Sequence, residues 1–359
     1  MSTDRAAVPA GMEPWRQAWL DPGWQAEALG WAEGVLAGLG RTIDGAVEQP
    51  HLRPWATAFR IPTDRGTAWL KATAEGPSYE GPLLEVFRAR NVERVVLPLA
   101  VHPERSWLLS DDAGATLRQT RPAGDGDHDL EAWDRILREY ARLQRSLEGD
   151  DVVAEMLTAG VPDGRPAALI GELVRLLDDD GAWDLLSPAE ADAGAAARRR
   201  LSAALPAISA AADELGGLGV APSIQHDDLH GNNIVVGPAG DHFFDWGDSV
   251  VGHPFATLNV TINSIAAKTG RELDDPVFAP LRDSYLQAWA GVAPRSALLR
   301  AAAVARDLGC IHRSLAWERA VMGLEAGQMD GFDDSIAGWL MELADRLDGP
   351  TWTGAAATR

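Results

Sequence analysis

The stretch Gln225-His226-Asp227-Asp228-Leu229-His230-Gly231-Asn232-Asn233 packs acidic, amide and imidazole side chains into one short segment. It runs on into the apolar Ile234-Val235-Val236, a turn at Gly237-Pro238-Ala239-Gly240, and then Phe243-Phe244-Asp245-Trp246. Phosphoryl-transfer sites use this order: His-x-Asp, an Asn five residues after the Asp, then a hairpin ending in a metal-binding Asp. The spacing follows from the chemistry. A carboxylate, Asp228, has to meet the attacking hydroxyl, and the amide oxygen of Asn233 has to reach a magnesium ion from the same loop. A second carboxylate, Asp245, has to bridge metal and phosphates from the adjoining strand. Hard oxygen ligands suit magnesium, which gives up water reluctantly and takes part of its shell from the nucleotide.

Two other readings use the same residues. Asp, Asn and Gly also serve as turn formers, but here the cluster is held between two apolar strands with an Asp in register downstream. His226 and His230 stand four apart, as helical zinc ligands do. That site needs a helix, and Gly231-Asn232-Asn233 followed by a β-branched run argues for loop and strand.

These residues resemble the aminoglycoside phosphotransferase family, which includes choline-kinase-like enzymes. Its pattern is His-Gly-Asp-Leu-His-x-x-Asn followed by Ile-Asp-Trp or Ile-Asp-Phe. This chain has Asp227 where that pattern has Gly, and Phe244-Asp245-Trp246 at the second site. The likeness is specific over residues 222–256 and continues more faintly over 55–260. Phe255-Ala256-Thr257-Leu258 falls where the family carries Asp-Leu-Ala, so Thr257 stands in for a carboxylate. The resemblance implies an α+β, two-lobed protein-kinase-like fold. Residues 1–110 would form a small β-rich, nucleotide-binding lobe and 111–359 a larger helical lobe. It implies ATP or another nucleoside triphosphate with Mg2+ as cofactors, Asp228 as the catalytic residue, and Asn233 and Asp245 as metal ligands. His226, Asp227 and His230 would support the loop. The acceptor would be a small-molecule hydroxyl of aminoglycoside, amino-sugar or amino-alcohol type.

Of the 32 basic Lys and Arg residues, only Lys71 and Lys268 are Lys. Lys71 lies in the β-like run Thr67-Ala68-Trp69-Leu70-Lys71-Ala72, where the family fold places its nucleotide-binding Lys. A compact ammonium suits α/β-phosphate oxygens in a way that Arg's planar fork does not. Lys268 reads as a cation at a helix C-terminus. Glu80 matches the family's Glu-x-x-Leu-Leu and is the expected partner of Lys71. Glu85 is the alternative, because Pro82 suits a first helical turn and leaves Glu85 inside the helix. The base should rest in a hinge at Trp107-Leu108-Leu109-Ser110-Asp111, with Leu109 and Asp111 as cofactor-binding positions through their backbone. Gln49-Pro50-His51-Leu52-Arg53-Pro54, expected over the phosphates, contains no glycine.

The elements that must hold these groups are also legible. Asp21-Pro22 reads as N-cap and first turn of a helix stopping at Gly40. Residues 55–110 are short β-like runs around one helix. From Asp129 the period turns helical, with further helices expected at 166–178, 187–214, 256–267, 278–290, 296–321 and 333–347. Asp178-Asp179-Asp180-Gly181 reads as a solvated turn, and the tail from Gly349 as mobile. A net charge of −21 speaks against nucleic-acid binding and would attract a cationic substrate. The single Cys310 excludes an internal disulfide. Met1-Ser2-Thr3-Asp4-Arg5 leads into no signal-peptide core and no run reaches membrane-span length, so a cytoplasmic protein without membrane partners is expected. A protein kinase fits less well, since no Ala-Pro-Glu-like element follows Asp245. A non-catalytic nucleotide-binding protein on the same fold is the other alternative.

Overall fold

The computed structural model of the chain describes residues 13–120, 128–237 and 240–353. Five antiparallel strands form the first layer: β1 (Glu48–Leu52), β2 (Ala56–Thr63), β3 (Gly66–Thr73), β4 (Ala100–Val101) and β5 (Trp107–Asp111), in the order β1-β2-β3-β5-β4. Strand alternation decides which side chains face which way. Ala68, Leu70 and Ala72 of β3 are buried with Phe59, Ile61, Trp107 and Leu109 under the helix Pro22–Gly38, which contributes Ala28, Ala32 and Leu36. That helix starts as its sequence dictates, with the Asp21 side chain accepting from the Trp24 N–H at 2.8 Å and Pro22 in its first turn. Lys71 therefore emerges on the opposite face. There the helix Glu80–Ala89 packs Leu83, Leu84 and Phe87 into the main core.

The rest of the chain is mainly helical. The helices Leu130–Ser146, Pro166–Asp178, Ala191–Gly217, Arg295–Ala320 and Ser335–Arg346 enclose two small sheets. One is three-stranded, with β6 (Asp163–Gly164) and β7 (Ser223–Gln225) on either side of β10 (Val250–Gly252). The other is the hairpin of β8 (Ile234–Val235) and β9 (His242–Phe243), with Ile234 opposite Phe243. In the turn between them Pro238 and Ala239 lie outside the described residues, while the Gly240 N–H donates to the Gly237 carbonyl at 2.9 Å. β9 is tied back to the segment after Ala89, because Phe243 N–H donates to Arg94 O (2.8 Å) and Val96 N–H to Phe243 O (3.0 Å).

The helix expected at 166–178 is found with those ends, the other expected helices are present with ends shifted by a few residues, and Asp178–Gly181 differs in kind. Asp179 caps a short helix, Asp180–Asp184, by accepting from the Gly181 N–H, and buried Trp183 anchors it through an indole bond to Leu176 O (3.0 Å). The tail begins with a helical turn at Pro350–Thr353; residues 354–359 lie outside the described residues. Among the described residues no helix is long and apolar enough to cross a membrane.

The loop before Glu80 meets the end of the helix Arg295–Ala320. A Cβ on Gly76 would lie 2.0 Å from the Arg319 carbonyl oxygen and 2.7 Å from its carbon. Backbone on both sides leaves nothing to yield, so only glycine fits. Gly76→Ala is expected to cost about 1–3 kcal/mol, the usual range for overpacking, measured as a lowered midpoint in urea unfolding. An unchanged midpoint would mean that the two segments do not touch.

Candidate active site

β7 delivers the chain into the loop 226–233, and β8 and β9 bring it back to Asp245. The loop is anchored from beneath. His226 N–H donates to the Tyr140 hydroxyl (2.9 Å), its Nε2 stands 2.9 Å from Phe244 O, and its ring packs on Trp246 at 4.6 Å between centroids. Burial lowers the His226 pKa, which keeps the ring neutral and suits a structural hydrogen bond over proton transfer.

Asp228 projects from this loop into a ring of donors. Asn233 Nδ2 donates to both its carbonyl and its Oδ2 at 2.9 Å, His230 Nε2 stands 3.3 Å from Oδ2, and Arg313 Nη2 is 3.6 Å from Oδ1. Burial alone would raise the Asp228 pKa; Arg313 and His230 outweigh it and hold the carboxyl below its ordinary value. His230 is raised in return, because Asp228 outweighs the lowering by burial. Since Asn233 uses its Nδ2 on Asp228, its Oδ1 is the atom left to face a cation.

Asp227 is turned the other way. Its φ of +61° lies in the left-handed region, which glycine enters most readily and Asp tolerates better than most residues. The side chain is buried, with Arg313 Nη1 at 4.0 Å and His312 Nδ1 at 3.9 Å. Burial pushes its pKa well above the ordinary value, with Arg313 opposing.

Lys71 sits between two carboxylates, 2.6 Å from Glu80 Oε2 and 2.5 Å from Asp245 Oδ1. Burial opposes its charge, but Asp245 and Glu80 outweigh it and raise the pKa. Glu80 is only 3% exposed, and its Oε1 accepts from the Trp246 N–H at 3.0 Å. Burial raises its pKa despite Lys71. Asp245 is 44% exposed and has φ +65°; burial would raise its pKa, but the Lys71 ammonium outweighs this and holds it below the ordinary value. Glu85 lies on the outer face of its helix, 3.3 Å from Arg88, so Glu80 is the partner of Lys71. Tyr79 fixes the same junction by donating to Gly247 O at 2.6 Å.

The fold thus brings Lys71, Glu80, His226, Asp228, His230, Asn233 and Asp245 together. Leu109 and Asp111 lie on β5, next to the strand of Lys71 but outside this group of side chains: the Leu109 side chain is buried under the helix Pro22–Gly38 and its carbonyl accepts from Leu99 N–H (2.6 Å), while the Asp111 carboxylate pairs with Arg41. Lys268 falls in the last turn of the helix Leu258–Thr269, and Thr257 is buried at the end of the preceding 3-10 turn. Sequence reasoning missed Arg313, which donates to Asp227 O (2.8 Å) and Asp248 Oδ2 (2.7 Å) and so braces the loop from the helix Arg295–Ala320. The one hint was the run of three consecutive polar residues, His312-Arg313-Ser314, between the apolar Ile311 and Leu315.

The family model for the APH phosphotransferase enzyme family matches residues 59–297. No curated protein matches the chain. Among solved structures, a choline/ethanolamine kinase family protein from Mesorhizobium loti is similar at 15% identity and TM-score 0.59, over 92% of this chain and 98% of that one. The GDP and kanamycin complex of APH(2″)-IIia is similar at 15% and 0.55, over 88% and 98%. A macrolide 2′-phosphotransferase type I is similar at 13% and 0.53, over 88% and 96%. At these identities the likeness speaks for the fold, which is two-lobed, α+β and protein-kinase-like. With the family model covering well over half its length, the chain belongs to the phosphotransferase enzyme family.

Proposed function

We propose that this protein transfers the γ-phosphoryl group of ATP, or another nucleoside triphosphate, to a hydroxyl of a small molecule. The observation that carries this reading is the Lys71 ammonium between the Glu80 and Asp245 carboxylates, in the same cleft as Asp228 and Asn233. Residues 1–110 would hold the nucleotide and 111–359 the acceptor. Strand alternation supports a backbone contact to the base at Asp111: it points to the same edge of β5 as Leu109, and β4 pairs only with Leu108 and Leu109.

Asp228 would orient the acceptor hydroxyl and take its proton as the oxygen bonds to phosphorus and the bond to the β-phosphate oxygen breaks. A carboxylate held below its ordinary pKa is a weak base, so its main contribution is positioning, with proton transfer late in the reaction. The donor set fits magnesium: Asn233 Oδ1 and the Asp245 carboxylate are hard oxygens, and one or two carboxylates with phosphates are its usual protein site. Magnesium, when bound, would neutralise charge on the phosphates. Lys71, held by Glu80, would add a second positive charge there. The acidic chain supports an acceptor of amino-sugar or amino-alcohol type through long-range attraction.

Calorimetry with Mg2+ and ADP tests the site. Asp245→Ala is expected to weaken magnesium-dependent binding by about a hundredfold or more, the upper end of what loss of an outer-shell partner costs. Asn233→Ala, which removes a dipole and not a charge, should do less damage. If neither variant changes the metal dependence, the metal site lies elsewhere. ADP release across a library of hydroxyl compounds then identifies the acceptor, and nucleotide binding with no release for any compound would favour a non-catalytic binder.

A further inference from the structure

A cavity of about 110 Å³ opens between the lobes, and Lys71, Asp228, Asp245 and Arg319 all line it, with His51 and Trp55 on the small-lobe side. Its carboxylates are already engaged. Asp245 is on Lys71, Asp228 is on Asn233 and His230, and Asp248 is on Arg313. Arg319 differs. Its guanidinium lies within hydrogen-bonding reach of the Tyr79 hydroxyl oxygen, but among the described residues its Nε and Nη2 are buried without a hydrogen-bond partner. Sealed donors of a fixed charge are costly to leave unmet, and a guanidinium fork matches two oxygens of a phosphate or carboxylate.

The position of Arg319 is fixed from both sides. Its carbonyl is pressed against Gly76. Two residues earlier, Trp317 stacks on Phe332 at 4.8 Å and meets Trp55, from the tip of the β1–β2 hairpin, edge-on at 5.3 Å. Arg53 in the same tip is 2.7 Å from Asp330. The hairpin without glycines is therefore held down over the cavity, and Arg319 is presented to it on a rigid helix end.

We propose that Arg319 is an oxyanion-binding residue of this cleft, taking phosphoryl or carboxylate oxygens presented between Lys71 and Asp228. The assignment rests on the phosphotransferase reading of the site. The oxyanion has two sources, the γ-phosphoryl group of the nucleotide or an acid group on the acceptor. The second would replace the expected cationic acceptor with an anionic one. The competing role for Arg319 is to offset the buried Asp227 at a distance, which would affect stability and no ligand.

Calorimetry on the full chain and on Arg319→Gln and Arg319→Lys separates these cases, with Mg2+ and either ADP or the non-hydrolysable AMP-PNP. If Arg319 reads the γ-phosphoryl group, the wild-type protein binds AMP-PNP about tenfold tighter than ADP, the size of one charge-assisted hydrogen bond. Arg319→Gln then loses that increment while keeping ADP, and Arg319→Lys recovers part of it. If it reads an acid on the acceptor, the protein loaded with Mg2+ and AMP-PNP binds glycerate more tightly than glycerol, and Arg319→Gln abolishes that preference. A wild-type protein with neither preference, or a Gln variant that keeps both, overturns the assignment. Failure of the wild-type protein to bind Mg2+ and ADP at all counts instead against the function proposed above.

Discussion

Asp228→Asn is expected to lower kcat by about 10²–10⁴-fold, the range for loss of a positioned general base, while nucleotide affinity stays near wild type. The substitution is nearly isosteric, so the loop anchors at His226 and Tyr140 remain. What is lost is the charge that orients the hydroxyl and receives its proton. Arg313 and His230 hold the Asp228 carboxyl below its ordinary pKa, so it is ionised throughout the range from pH 6 to 8, and the defect should be the same at both ends. Asp227 cannot stand in, because its side chain is buried under the loop at φ +61°. Turnover of Asp228→Asn with an identified acceptor settles the matter: a rate close to wild type would remove Asp228 from the reaction.

Lys71→Arg should damage the enzyme nearly as much as Lys71→Ala, each by about 10²–10³-fold in kcat, comparable to loss of an oxyanion donor. The ammonium fills a slot with Glu80 Oε2 at 2.6 Å and Asp245 Oδ1 at 2.5 Å. A planar guanidinium is too large to enter without displacing one of them. Lys71→Ala carries a further cost, since it strands Glu80, a buried carboxylate, with only the Trp246 N–H. Breaking a buried pair costs about 3–5 kcal/mol, and partial solvent access to Lys71 (26% exposed) cuts this to about 1–3 kcal/mol. Urea unfolding and ATP turnover of the two variants, measured side by side, test both claims. Arg matching wild type in turnover would show that Lys71 does not touch the phosphates.

The local elements were readable because they obey local rules. Asp21-Pro22 caps its helix through a contact three residues away, the helix Pro166–Asp178 begins at its own proline, and the alternation of β3 puts Lys71 opposite Leu70 and Ala72. The loop 226–233 was equally plain, since Asn233 bonds to Asp228 five residues before it. Periodicities of 3.6 and 2, turn chemistry and caps are written in adjacent residues.

Tertiary packing decided the contacts between distant parts of the chain. Glu80 and Glu85 share one helix, and only its docking against Trp246, 166 residues away, buries the first and leaves the second in water. Asp179 made a helix of an expected turn because Trp183 found a place in the core. Leu109 went to the core because pleat and register turned it away from Lys71. Arg313 and Arg319 looked like any other arginine in an Arg-rich sequence, and became part of the cleft only when the helix Arg295–Ala320 was laid beneath the loop. Short-range spacing fixed the groups able to do the chemistry. Their charge partners, and the Arg319 nitrogens that meet no hydrogen-bond partner among the described residues, were set by close approach between segments far apart in sequence, which no local pattern encodes.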